Sequence, residues 1–154
     1  MMKKNQKGFS LIELLIVVAI IGIIAAIAIP NLLASRRAAN EGSAQQSLRT
    51  LSSAEATYYS TAGNGNYGTM TQMMNAFLID SVLGGKQKSG YNFEITGPST
   101  TAFVGAGAPT TFSGVTATGT REFCIDQTGV LNAKTAAATS AATTCASPFA
   151  PVGN

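Results

Sequence analysis

Few side chains in this sequence can do chemistry, and one of them is out of place. Glu13 stands among Phe9, Leu11, Ile12, Leu14, Leu15 and Ile16. A carboxylate deep in a bilayer costs about 2.5–3.5 kcal/mol on insertion scales, so it needs either the interface or a cationic partner. The sequence offers two cations: Lys7, and the α-amino group that a cut after Gly8 would create at Phe9. The other reactive groups are Cys124 and Cys145. An even cysteine count in an envelope-facing domain points to a disulfide, closing a loop worth roughly 3 kcal/mol. In a cytosolic domain the same two residues read as buried thiols.

The remaining inventory argues against an enzyme. There is no histidine, which excludes serine–histidine and cysteine–histidine nucleophiles, and two thiolates alone do not complete a zinc shell. No glycine-rich phosphate loop with its lysine is present. Glu122 and Asp126 are the closest acidic pair expected on one sheet face. Strand geometry separates them by about 13 Å, too far for a retaining glycosidase pair, and a solvated face accounts for them. Asp126-Gln127-Thr128-Gly129 reads as a β-turn with Asp first rather than as a calcium loop. The sequence therefore predicts no catalytic residue, no metal and no cofactor.

The element that must position Glu13 is an apolar helix. No charged residue occurs from Leu14 to Ser35. At the helical rise this run is about 33 Å long, enough to cross a bilayer core of about 30 Å. Lys3, Lys4 and Lys7 precede it, as the positive-inside rule expects for a cytoplasmic N-terminus. An ordinary signal peptide has a similar outline, and Ala26-Ile27-Ala28 resembles a cleavage site. The run is too long for that, and it carries a glutamate at its start. Of the ten basic residues, the three lysines in the first eight positions leave seven against seven acidic ones. No basic nucleic-acid footprint remains, so nucleic acid is not an expected partner.

Lys7-Gly8-Phe9-Ser10-Leu11-Ile12-Glu13-Leu14 resembles the cleavage and methylation signature of type IV pilins and the related pseudopilins, and the likeness covers roughly residues 1–60. It implies a leader over 1–8, cut after Gly8 by a prepilin peptidase, and methylation at Phe9. It also implies that Glu13 pairs with the N-terminal amine of a neighbouring subunit, the cation that the desolvation argument asks for. In such filaments the segment between a glycine and a proline placed like Gly22 and Pro30 is held to lose helicity. Proline chemistry alone predicts a bend at Pro30, since the residue lacks an N–H and crowds the preceding turn.

Along the chain, the hydrophobic membrane and assembly helix covers 9–35 and a head domain covers 36–154. Ala44, Leu48, Leu51, Glu55 and Tyr58 recur at helical spacing, an apolar stripe except for Glu55, so the second half of the helix runs over 36–61. A loop region follows over 62–90. Within it, Thr69-Met70-Thr71-Gln72 has capping-box form and predicts one short helix through Val82, stopped by Gly84-Gly85. Alternation in Tyr91–Ile95 and Arg121–Asp126 predicts strands, with a second strand at Thr101–Val104 and another at Val130-Leu131. The expected fold class is α+β: a long N-terminal helix, half membrane-inserted and half amphipathic, on a 3–4-stranded antiparallel sheet over 91–132. A C-terminal cysteine-bounded loop over 124–145 is a family feature that the two cysteines fit.

The resemblance implies a structural subunit of a type IV pilus. It would be inserted in the inner membrane as a precursor and polymerised with copies of itself by the pilus assembly machinery into a surface filament. Two alternatives stand beside it: a pseudopilin of a type II secretion system, and a membrane-anchored envelope binding module that never polymerises.

Overall fold

The computed structural model describes residues 8–153, so Lys3, Lys4 and Lys7 of the expected leader lie outside the described residues. The chain divides into two compact units, one ending at Ser35 and one beginning at Arg36.

Helix α1 runs over Leu11–Ser60. In the first unit its apolar residues are exposed all round, from Leu11 to Leu32, and it is long and apolar enough to cross a membrane. It continues as α-helix through both Gly22 and Pro30. The single chain is thus not broken at either residue. Pro30 removes only one main-chain donor, and the helical hydrogen bonds on both sides of it carry the helix across.

In the second unit α1 buries Glu41, Ala44, Ser47, Leu48, Leu51, Ala54 and Glu55. The face is the expected one, but Glu55 belongs to it and is fully buried. Opposite lies a six-stranded sheet in strict sequence order, every neighbour antiparallel. Its strands are β1 Gln87–Lys88, β2 Tyr91–Thr96, β3 Val104–Pro109, β4 Arg121–Asp126, β5 Asn132–Thr135 and β6 Ala150–Pro151. The two strands beyond the expected number, β1 and β6, are two-residue edges, too short to leave a pattern in sequence. The later strands also begin further along than expected, at Val104 and Asn132 rather than Thr101 and Val130.

Strand β2 alternates as its sequence demands, with Tyr91, Phe93 and Ile95 turned into the core. Strand β3 is Val-Gly-Ala-Gly-Ala-Pro, a poor strand former by propensity, yet it pairs along its whole length with β2. Its small residues make room for the helix. A Cβ on Gly107 would lie 3.0 Å from the Phe93 ring and 3.7 Å from Leu48, and one on Gly105 3.3 Å from Ile125.

The single short helix expected over 70–82 is instead two, α2 Met70–Asn75 and α3 Ser81–Gly84. The Thr69 capping box opens α2: the Gln72 N–H donates to the Thr69 hydroxyl, and Gln72 Oε1 accepts from the Thr69 N–H at 2.8 Å. Asp80 restarts the chain as α3 by accepting from the Leu83 N–H at 2.6 Å. That second cap outcompetes the apolar periodicity that reads as one helix.

Candidate functional site

The residues singled out for processing and assembly lie together at the start of the described chain. Gly8, Phe9 and Ser10 precede α1 and are exposed, Phe9 almost completely. Glu13 occupies the first turn. Its Oε2 accepts from the Ser10 main-chain N–H at 2.8 Å, while the Leu14 N–H donates to the Ser10 carbonyl at 3.3 Å. Ser10-x-x-Glu13 therefore supplies the glutamate half of a capping box, satisfying one of the free donors at the helix start. Ser10-Leu11-Ile12-Glu13 has the same spacing in sequence as Thr69-Met70-Thr71-Gln72. Phe9, Glu13, Leu14, Ile16 and Val17 line a shallow, almost wholly apolar cleft. A carboxylate there has one oxygen engaged by its own helix and an apolar surround that strengthens any charge it meets.

Beyond this segment, the polar side chains of the head serve its architecture. Glu41 ties α1 to β4: Oε1 accepts from the Thr120 N–H and hydroxyl, both at 2.8 Å, and Oε2 from Arg121 Nε at 2.8 Å. Burial alone would raise the Glu41 carboxyl, but these donors outweigh it and hold it below the ordinary range. Beside it, the Tyr91 hydroxyl donates to the Arg121 carbonyl at 2.8 Å. Burial, with the Glu41 charge, pushes the Tyr91 phenol up. Gly119 must be glycine, because a Cβ there would collide with the Tyr91 hydroxyl.

Glu122 corrects an expectation. It does not lie on a solvated face but is buried, its charge met by Lys134 at 3.2 Å, and the Lys134 ammonium also sits 4.4 Å from the Phe149 ring centre. Asp126 does open a β-turn: the Gly129 N–H donates to its carbonyl, and its Oδ1 accepts from the Thr128 N–H at 2.9 Å. Cys124 on β4 is joined to Cys145 by a disulfide, with Cα atoms 5.7 Å apart. In sequence Glu55 is an interruption of the stripe formed by Ala44, Leu48, Leu51 and Tyr58. Its Oε2 accepts from the Gly68 N–H at 2.8 Å, and its Oε1 is buried with no hydrogen-bond partner among the described residues.

Comparison with known proteins agrees with the N-terminal geometry. Residues 3–29 match the family described as the prokaryotic N-terminal methylation motif. The chain is 68% identical over 38 residues to the type IV wide pilus major component PilA4 of Thermus thermophilus, covering 25% of this chain and 29% of that protein. It is 48% identical over 56 residues to the type IV major pilin protein PilA of Myxococcus xanthus, covering 36% and 26%. The type II secretion system core protein G of Aeromonas hydrophila is 32% identical over 78 residues, 51% of this chain and 53% of that protein. The chain thus spans about a quarter to a half of the length of these curated relatives. The motif and the aligned N-terminal residues are thus similar to those of type IV major pilins, and a longer segment is similar to a type II secretion system core protein.

Proposed function

Starting from that likeness, we propose that the chain is the structural subunit of a type IV pilus. It enters the inner membrane as a precursor, is cut after Gly8 by a prepilin peptidase, is N-methylated at Phe9, and polymerises with copies of itself into a surface filament. One observation carries this reading: a helix whose apolar residues are uncovered on every side begins directly at a methylation motif. A surface so apolar is stable only in lipid or against other helices like itself.

Lipid is as apolar as the helix, so leaving it for a filament core gains little from hydrophobicity. Packing and polar pairing must supply the selectivity. Glu13 is the one charged group placed to do so. Oε2 rests on the Ser10 N–H, and Oε1 is the oxygen toward which a neighbouring subunit's new amine at Phe9 is drawn. Such a pair is better suited to setting register than to adding net stability. Loss of helicity between Gly22 and Pro30 belongs to this assembly step, since neighbouring helices can then satisfy the freed main-chain groups.

The longest of these alignments is to a type II secretion core protein, which supports a periplasmic pseudopilin as a second reading. Intact-mass spectrometry of the sheared surface fraction tests both. A pilus subunit should be abundant there as a chain starting at Phe9 and carrying one added methyl group. An unprocessed chain retained in the membrane would overturn the proposal, and a processed chain absent from surface fibres would favour the pseudopilin.

A further inference from the structure

Phe77 stands in a place that neither its backbone nor its side chain favours. It follows the end of α2, where the Leu78 N–H donates to the Met73 carbonyl and the Phe77 N–H to that of Met74, both at 3.0 Å. This pair of bonds is the Schellman ending of a helix, which asks for a left-handed residue and most often takes glycine. Here the residue is phenylalanine at φ +57°, and its ring is 95% exposed. For a bulky side chain that conformation is an outlier, and an uncovered ring does nothing to offset its cost. Val82 on α3 is exposed as well. Asp80 is the only charged residue from Ala56 to Gly85, and its side chain is 55% exposed despite a 3.3 Å pair with Lys88.

Helices α2 and α3 lead directly into β1, which is one edge of the sheet. At the opposite edge lies a hollow. Val130 and Leu131, which lead into β5, and Pro151 and Val152, at the end of β6, line an open cavity of about 590 Å³ together with Arg49 of α1. The Val152 N–H donates to the Leu131 carbonyl at 2.9 Å and ties its two walls together. A cavity of roughly 150 Å³ is enough for a benzene ring, so there is room for a phenyl group and a valine beside it. Arg49 is the one charged residue of the lining, exposed and in no ion pair among the described residues. The knob thus carries one carboxylate and the hole one guanidinium.

We propose that Phe77 of one head enters this cavity on the next copy of the chain, with Val82 alongside it and Asp80 facing Arg49 at the rim. Knob and hole lie at opposite edges of one six-stranded sheet, so a head does not satisfy its own pair and instead serves a neighbour on each side. A contact between two different patches, repeated without closing into a ring, builds an open helical assembly. An aromatic anchor seated in a pocket is also the usual form of an energetic hot spot. The inference rests on the proposed polymerisation of the chain with itself, and adds which surfaces of the head meet.

Cys124 and Cys145 are joined to each other, so introduced thiols react alone. Full-length Ser81→Cys/Val130→Cys, which keeps Phe77, is sheared from cells as filaments and treated with a short bis-maleimide. The expected result is a ladder of dimers, trimers and longer species, with monomer only from each single-cysteine variant. Filaments of the double variant that stay monomeric overturn the contact and leave polymerisation standing. Dimers from a single-cysteine variant also overturn it, since they assign a two-fold contact instead. If the wild-type chain forms no filaments, polymerisation falls and the contact with it. Full-length Phe77→Gly supplies a second readout. Glycine suits the left-handed turn, so the thermal midpoint in detergent should hold or rise, while filament yield drops about tenfold. An undiminished yield, or a loss accompanied by a lower midpoint, overturns the proposal.

Discussion

Glu55 makes the head domain's stability depend on pH in an unusual direction. Its carboxyl is fully buried on α1 and holds a single hydrogen bond, from the Gly68 N–H. Desolvation pushes its pKa up to about 7 from an ordinary 4.5, with the Gly68 N–H pulling weakly the other way. A folded-state pKa above the unfolded one means that stability is fully present below about 4.5. It is lost as pH rises through 7, when an ionised carboxylate is trapped with one donor. The difference between the two values corresponds to about 3 kcal/mol, most of it lost between pH 5 and 8. Glu41 and Asp80 do not mask the effect. Both are held below their ordinary values, so they titrate beneath this window. Against a total stability of about 5–15 kcal/mol, the loss is large enough to measure. The assay is urea unfolding of the full-length protein in detergent at half-unit pH steps, read by tyrosine near-ultraviolet circular dichroism, for wild type and Glu55→Gln. Wild type should weaken across the window, whereas the glutamine variant, whatever its absolute stability, should stay level. A flat wild-type profile, or equal slopes for the two proteins, would refute the reasoning.

At the N-terminus, Glu13→Gln keeps an acceptor for the Ser10 N–H but removes the charge, and Glu13→Ala removes both. Both variants should insert in the membrane and both should lose filament yield in a shearing assay; a normal yield from the glutamine variant would show that charge pairing is not needed. In the sheet, Gly107→Ala should cost about 1–3 kcal/mol, because its new methyl meets the buried Phe93 ring. Gly105→Ala, facing Ile125 at the looser 3.3 Å, should cost less, and thermal denaturation reversing that order would contradict the packing described.

What the sequence determined by itself are features set by neighbours a few residues away. An uncharged run of bilayer length must be a helix in lipid, because nothing else satisfies its main chain there. A glutamate inside its first turns must find a donor or a cation, and the match of residues 3–29 to the N-terminal methylation motif is carried by local sequence. The Thr69 capping box and the alternation of Tyr91–Thr96 are equally local, since period and cap spacing depend only on the residues within them.

Tertiary structure decided the rest. Strand β3 has the composition of a loop and becomes a central strand because Gly105 and Gly107, lacking a Cβ, leave room for Ile125 and Phe93 packed against them. Glu55 and Glu122 look like solvated charges and are buried, because the stripe and strand on which they lie are covered from outside their own segments. Cys124 and Cys145 could have been free thiols until the chain between them folded back to bring their Cα atoms to 5.7 Å. Arg37 reads as an ordinary cation after a membrane span, and only the return of residues 114–117 to α1 makes it the clamp of a loop. In each case the deciding partner is remote along the chain, and no local period or cap encodes a contact of that kind.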